Sequence, residues 1–299
     1  MKFLLMGDTH LRITSPVARK EKDFSSVCLN KFKSAVKLAV DEEAELVQVG
    51  DLFDSSRPSY YIVGELYKIL TKYNKKLYTI FGNHDQLYHS SKNNKSSAQK
   101  MLTDCGCLHI LNEDPVVLGD YELYGQSWGE EIPVPNDNDK KKMLVAHQMV
   151  GIDKIFDTQK LLHPTEFIKE HKGFDIYAVG HYHLQFIYGD SPIVINPGCL
   201  LRLRNIEVER KRKPEVVLYD EGEIEIVELP HDPEPFVEKI NKVKNDSKIN
   251  ELINELKLNN KTGINFNDSL DIIYSRNKTS QKVKKIISTY MGEVNETTK

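Results

Sequence analysis

The chain has 299 residues, 39% hydrophobic and 28% charged, with a formal net charge of −3. This suits a globular protein of one large domain and a smaller one, and it excludes a uniformly basic nucleic-acid coat, so any polyanion must be met by local patches. Cys28, Cys105, Cys107 and Cys199 make no CxxC pair or disulfide framework, the apolar start MKFLLMGD is too short for a signal peptide or membrane span, and there is no P-loop or GxGxxG; a reducing, cytoplasmic setting without nucleotide-driven work by this chain is expected.

In chain order, the β-like run KFLLM (2–6) is followed by helical spacing in KFKSAVKLAVDEEA (31–44). ELVQV (45–49) reads as a strand, PSYYIVGELYKILTKY (58–73) as a helix with Pro58 in its first turn, and KLYTIF (76–81) as a strand. This β-α-β-α-β order predicts an α/β core. Strand-dense runs follow at 116–125, 142–147, 175–180 and 192–196, and 215–229 reads as a hairpin turning at Asp220-Glu221-Gly222. After LPHDPEP (229–235) the chain turns rich in Lys and Asn, with helical periodicity in FVEKINKVK, INELINELKL and KVKKIISTYM. The expected domains are therefore 1–230 and a small C-terminal helical or α+β region over 231–299.

The strand ends carry the chemistry. The first runs into Gly7-Asp8-Thr9-His10, the second into Gly50-Asp51-Leu52-Phe53-Asp54, the third into Gly82-Asn83-His84-Asp85. LVAH delivers His147, and AVGHYH delivers His181 and His183, two positions apart and so on one side of an extended segment. In open α/β sheets, sites form beyond the carboxyl ends of strands. Imidazoles and carboxylates crowded there need a counter-charge. Oxygen and nitrogen donors without a thiolate favour Mn, Fe or Zn, and about seven donors suit two ions about 3.5–4 Å apart with Asp51 as the bridge.

D-x-H, G-D-x-x-D, G-N-H-D, a lone His and G-H-x-H in this order resemble the signature of calcineurin-like metallophosphoesterases, over residues 1 to about 200. The resemblance implies a four-layer α-β-β-α sandwich. It also implies that Asp8, His10, Asp51 and His183 hold one metal, and that Asp51, Asn83, His147 and His181 hold the other. His84 would act at the phosphate as general acid or transition-state stabiliser, oriented by Asp85. The two rings of the HYH stretch would then serve different ions.

Phosphatase members carry G-D-x-x-D-R-G and G-N-H-E, whereas this chain has GDLFDSSRP and GNHDQ. GDLFD and GHYHLQ…INPGCLLRLR resemble the SbcD-type nuclease subunit of DNA double-strand-break repair, bacterial or phage, with Cys199 replacing a small hydroxyl residue. That likeness implies a manganese-dependent DNA exo- or endonuclease, a coiled-coil ATPase partner of the SbcC type and a homodimer. The helix with Tyr60, Tyr61 and Tyr67 is the expected dimer surface, and the region after residue 235 the expected cap or ATPase-docking segment. For DNA, RLRNIEVERKRK (202–213) offers Arg202, Arg204, Arg210, Lys211, Arg212 and Lys213. The alternatives are a small-molecule phosphodiesterase with the same metal centre, and a metal-binding scaffold without activity.

Overall fold

The computed structural model describes residues 1–89, 91–154 and 160–237. The first compact unit spans Met1–Val237 and the second Glu238–Lys299. The helical periodicities expected over 236–299 therefore lie almost wholly outside the described residues.

Among the described residues, strands and α-helices follow in the order β1 (Lys2–Met6), α1 (Phe24–Asp41), β2 (Glu45–Gln48), α2 (Tyr60–Lys72), β3 (Leu77–Thr79), α3 (Ala98–Asp104), β4 (Leu108–Ile110), β5 (Val116–Leu118), β6 (Tyr121–Gln126), β7 (Lys141–Gln148), α4 (Pro164–Glu170), β8 (Ile176–His181), β9 (Phe186–Tyr188), β10 (Ile193–Asn196), α5 (Glu207–Lys211), β11 (Glu215–Asp220) and β12 (Glu223–Glu228). They form two six-stranded mixed sheets, ordered β12-β11-β1-β2-β3-β4 and β5-β6-β7-β8-β10-β9. β1 to β4 run parallel and β11 joins β1 antiparallel; β6, β7, β8 and β10 run parallel between antiparallel edges.

Strand alternation sorts the side chains into three cores. Leu4 and Met6 of β1 and Leu46 of β2 pack with α1 and α2. Phe3, Leu5 and Val47 point the other way and meet Met143, Val145, Ile176 and Ala178 between the sheets. Leu144, Ala146, Tyr177 and Val179, from alternate positions of the same strands, pack with Phe167 of α4. Three cores between helix, sheet, sheet and helix make the expected four-layer sandwich, and they bring the carboxyl ends of β1, β2 and β3 to those of β7 and β8.

Several boundaries differ from the sequence reading. α1 begins at Phe24, seven residues before the expected 31, because Asp23 caps it by accepting the Ser26 N–H at 3.1 Å. Ser59, not Pro58, opens α2, so Pro58 lies one residue before the cap. The strand-dense run 116–125 forms a hairpin that turns where Gly119 has φ +58. The hairpin at 215–229 does form, with Glu221 and Gly222 both at positive φ between its strands. Within the basic run, 207–211 forms the short helix α5. Residues 231–237 belong to the first unit: Val237 N–H donates to Ala18 O at 3.0 Å and Lys20 N–H to Pro235 O at 3.1 Å. No helix among the described residues is long and apolar enough to cross a membrane.

Candidate metal centre

The loops after β1 and β2 are locked together before any side chain acts. Thr9 and His10 N–H both donate to Asp51 O, at 3.1 and 2.9 Å. Asp51 itself has φ +52, a conformation that favours Gly, Asn and Asp. Gly82 has to be glycine for the loop after β3 to approach, because a Cβ there would stand 2.1 Å from Asp51 Oδ1. Gly7 meets the same limit, since its Cβ would stand 1.4 Å from Gly198 O.

Asp8, His10, Asp51 and His147 are almost wholly buried, whereas His84 is exposed at the mouth. On one side, His183 Nε2 stands 3.2 Å from Asp8 Oδ2 and 3.2 Å from His10 Nε2. His10 Nε2 is 3.8 Å from Asp51 Oδ2. On the other side, His147 Nε2 is 3.4 Å from the same Asp51 Oδ2 and 3.2 Å from Asn83 Oδ1. Donor atoms of Asp51, His147 and His181 lie within 4.8 Å of one another. Asp51 thus belongs to both clusters.

The donor set asks for a cation. His147 Nδ1 is 2.8 Å from Val49 O, a pure acceptor, so Nδ1 carries the hydrogen. In the neutral ring the Nε2 lone pair then faces two oxygen lone pairs, which only a proton or a metal ion relieves. Burial opposes charge on His147, but the Asp51 and Asp8 carboxylates prevail and raise its pKa to about 9. Burial lowers His10 to about 3 and, helped by the neighbouring His147, His181 to about 4. Burial would raise Asp8, yet the hydrogen bond from His183 and the charge of His147 hold it below the usual range. His10 and His181 are thus neutral beside ionised carboxylates, ready to bind a divalent ion, whereas His147 gives up its proton when one binds.

His181 and His183 do not act as an extended pair. His181 has φ +76, so the chain turns there, placing its ring 5.0 Å from that of His147 and the His183 ring 5.1 Å from that of His10.

Asp85 does not reach the His84 ring. Its carboxylate accepts N–H groups of Leu52, Phe53 and Gly82 at 3.2, 2.9 and 2.9 Å, tying the β3 loop to the β2 loop. His84 is oriented instead by Nδ1–H donation to Asp54 O at 3.0 Å, and its backbone N–H donates to Asp51 Oδ1 at 2.8 Å. Burial and the charge of Asp51 push Asp85 up to about 7, against the pull of the Phe53 and Gly82 N–H groups. Replacing Asp85 with Ala would strand three buried N–H groups. A loss of about 3 kcal/mol is expected in urea unfolding of the metal-free protein.

Two residues escaped the sequence reading. Cys199, seen there as a stand-in for a hydroxyl, has its sulfur within 4.8 Å of donor atoms of His10 and His183, although its S–H donates to Leu201 O at 3.1 Å. Trp128, the chain's only tryptophan, lies with its ring 4.7 Å from His181. Nothing in the pattern around Trp128 announces this; being the sole tryptophan was its one signal.

The basic run is divided. Arg204, Arg210, Lys211 and Lys213 are exposed. Lys211 pairs with Glu207 at 2.6 Å and Lys213 with Glu228 at 2.5 Å. Arg202 and Arg212 turn inward, correcting their expected role in DNA contact. Arg212 holds Glu209 at 2.8 Å and the Cys199 carbonyl at 2.7 Å, and Arg202, 2% exposed, donates to backbone carbonyls and lies against the Phe236 ring.

The calcineurin-like phosphoesterase family model matches residues 1–185. The DNA double-strand break repair protein Mre11 of Sulfolobus acidocaldarius is 28% identical over 242 residues, covering 74% of this chain and 60% of that protein. The protein of the same name from Saccharolobus solfataricus is 25% identical over 230 residues, 71% of this chain and 58% of its own length. This chain thus spans only some three-fifths of either relative. Among solved structures, TT1561 of Thermus thermophilus aligns with a TM-score of 0.46 at 15% identity, over 76% of this chain and 98% of that one.

Proposed function

The chain belongs to the calcineurin-like phosphoesterase family, and from that premise we propose that it is a two-metal DNA phosphodiesterase acting in DNA end processing, repair or recombination. The observation that carries the two-metal reading is Asp51 Oδ2, shared between the His10 side and the His147 side at 3.8 and 3.4 Å. Asp8, His10, Asp51 and His183 would hold one ion; Asp51, Asn83, His147 and His181 the other. The oxygen and nitrogen donors suit manganese. When bound, the ions neutralise phosphate charge and supply an activated water. His84, exposed at the mouth with Nδ1 committed to Asp54 O, has Nε2 left to protonate the leaving oxygen.

DNA as substrate is supported by the names of the relatives, and a cytoplasmic location accompanies that reading. A homodimer through α2 is supported by its outer face, where Tyr60 is 93% and Tyr61 54% exposed while Ile62, Val63, Leu66 and Leu70 are buried. A coiled-coil ATPase partner completes the proposal. One observation favours small phosphodiesters instead: the inward turn of Arg202 and Arg212 removes two cations from the expected DNA surface.

The test is cleavage of end-labelled duplex and single-stranded DNA, with and without Mn²⁺, beside a small aryl phosphodiester. Mn²⁺-dependent cutting of DNA is expected. Hydrolysis of the aryl ester alone would replace the nuclease reading with the small-substrate one.

A further inference from the structure

The inward half of the basic run has a destination. A cavity of about 360 Å³ is lined by Arg19, Lys31 and Arg202, with Asn30, Ser34 and His231 beside them. The three cations are 7, 5 and 2% exposed. Their counter-charges are unequal. Arg19 is held by the Glu21 carboxylate, with Nε to Oε2 at 2.9 Å. Asp232, another lining residue, is paired with Lys20 at 2.9 Å. Among the described residues, neither Lys31 nor Arg202 has a carboxylate in salt-bridge range. Lys31 Nζ donates to Pro230 O at 2.8 Å, Arg202 donates to the carbonyls of Arg210, Asp232 and Pro233 and stands 6.0 Å from the Phe236 ring centroid, and Arg202 Nε is buried without a hydrogen-bond partner among the described residues.

Buried charge without a counter-charge is costly, and carbonyl dipoles compensate only part of it. Burial, together with the charges of Arg19, Arg202 and Arg212, lowers Lys31 to about 8, so the field around the cavity is positive. Two cations without a direct ion pair, one an arginine with an idle N–H, together with the hydroxyl and amide of Ser34 and Asn30, match a compact multivalent oxyanion. The volume lies at the lower end of the roughly 300–1,000 Å³ usual for ligand sites, which fits a small ligand.

We propose that this cavity is an anion site separate from the metal centre, which takes a phosphate group, either as inorganic phosphate or as the phosphate of a mononucleotide. It uses no residue of the metal centre and stands whether or not the chain is a nuclease.

The experiment uses the full chain in excess chelator, which removes phosphate binding through metal. Inorganic phosphate and deoxyadenosine 5′-monophosphate are titrated separately by calorimetry and thermal shift, against chloride at equal ionic strength. A saturable rise in Tm is expected for the wild type with at least one ligand. Tighter binding of the nucleotide identifies a mononucleotide site, and equal affinity a phosphate site. Lys31→Met is expected to weaken binding by at least about tenfold and, without ligand, to melt no lower than the wild type, because an apolar chain of similar length replaces a buried cation. Lys31→Gln, which keeps a donor for Pro230 O, gives the same loss of binding if Met disturbs packing. The proposal is overturned if neither ligand shifts the wild type beyond chloride, or if both folded variants bind as the wild type does.

Discussion

Asp51→Asn is expected to reduce Mn²⁺-dependent phosphodiester hydrolysis by at least about a thousandfold, the scale on which charge stabilisation at a reacting phosphate is lost. The substitution isolates charge. Asn tolerates the φ of +52 found at this position, and its amide oxygen can still accept the His84 N–H that Asp51 Oδ1 takes at 2.8 Å. What disappears is the one carboxylate common to both clusters. Metal-free, the variant should melt below the wild type, because burial opposes the Asp51 charge but His147 and His10 hold that carboxyl below its usual range, and their attraction is lost. Metal-loaded, the two should part further. Ligand at a hundred times its Kd stabilises by about 2.7 kcal/mol, or about 5–10 °C for a domain of this size. That rise should appear in the wild type and largely vanish in the variant. Trp128 gives a second readout: with its ring 4.7 Å from His181, its fluorescence should be quenched by paramagnetic Mn²⁺. A variant that keeps both the melting shift and the hydrolysis would remove Asp51 from the bridging position.

The centre was legible in the sequence because its residues sit where strands stop. Asp8, Asp51, Asn83 and His147 each lie at or just past a run of buried apolar residues, and periodicity locates such runs well. Shared-face logic failed at His181 because a single left-handed residue ends the alternation, and alternation carries no signal for it. The role that the resemblance implies for Asp85, orienting His84, is not what the fold gives it, because a carboxylate three residues past Gly82 is placed to collect backbone N–H groups. The start of α1 was legible but missed, since Phe24, Cys28 and Phe32 already follow helical spacing directly after the Asp23 cap. Arg202 and Arg212 look like any surface arginine in a basic run. Only the packed structure shows that the carbonyls of a returning chain, at Asp232 and Pro233, take up Arg202. Composition reports how much charge a segment holds, and the direction it faces is set by tertiary contacts.

His84→Ala is expected to lower kcat by about 10²–10⁴, the range for loss of a positioned proton donor, while leaving KM, the Mn²⁺-induced melting shift and the quenching of Trp128 near wild-type values. The separation follows from how His84 is attached. Its link to Asp51 is a backbone N–H, which alanine retains, and what is lost is the exposed ring with its bond to Asp54 O and its edge contact with the His10 ring at 4.8 Å. A purely architectural role would therefore leave kcat nearly intact. Two chemical roles remain, and the leaving group distinguishes them. A proton donor matters for a sugar alkoxide, which leaves poorly unprotonated, and hardly at all for a nitrophenolate. A group that stabilises charge on the phosphate's other oxygens matters for both. A large loss on DNA with a small one on the nitrophenyl ester would assign His84 Nε2 to the leaving oxygen; equal losses would assign it to the phosphate itself. Unchanged kcat on both substrates would take His84 out of the chemistry altogether.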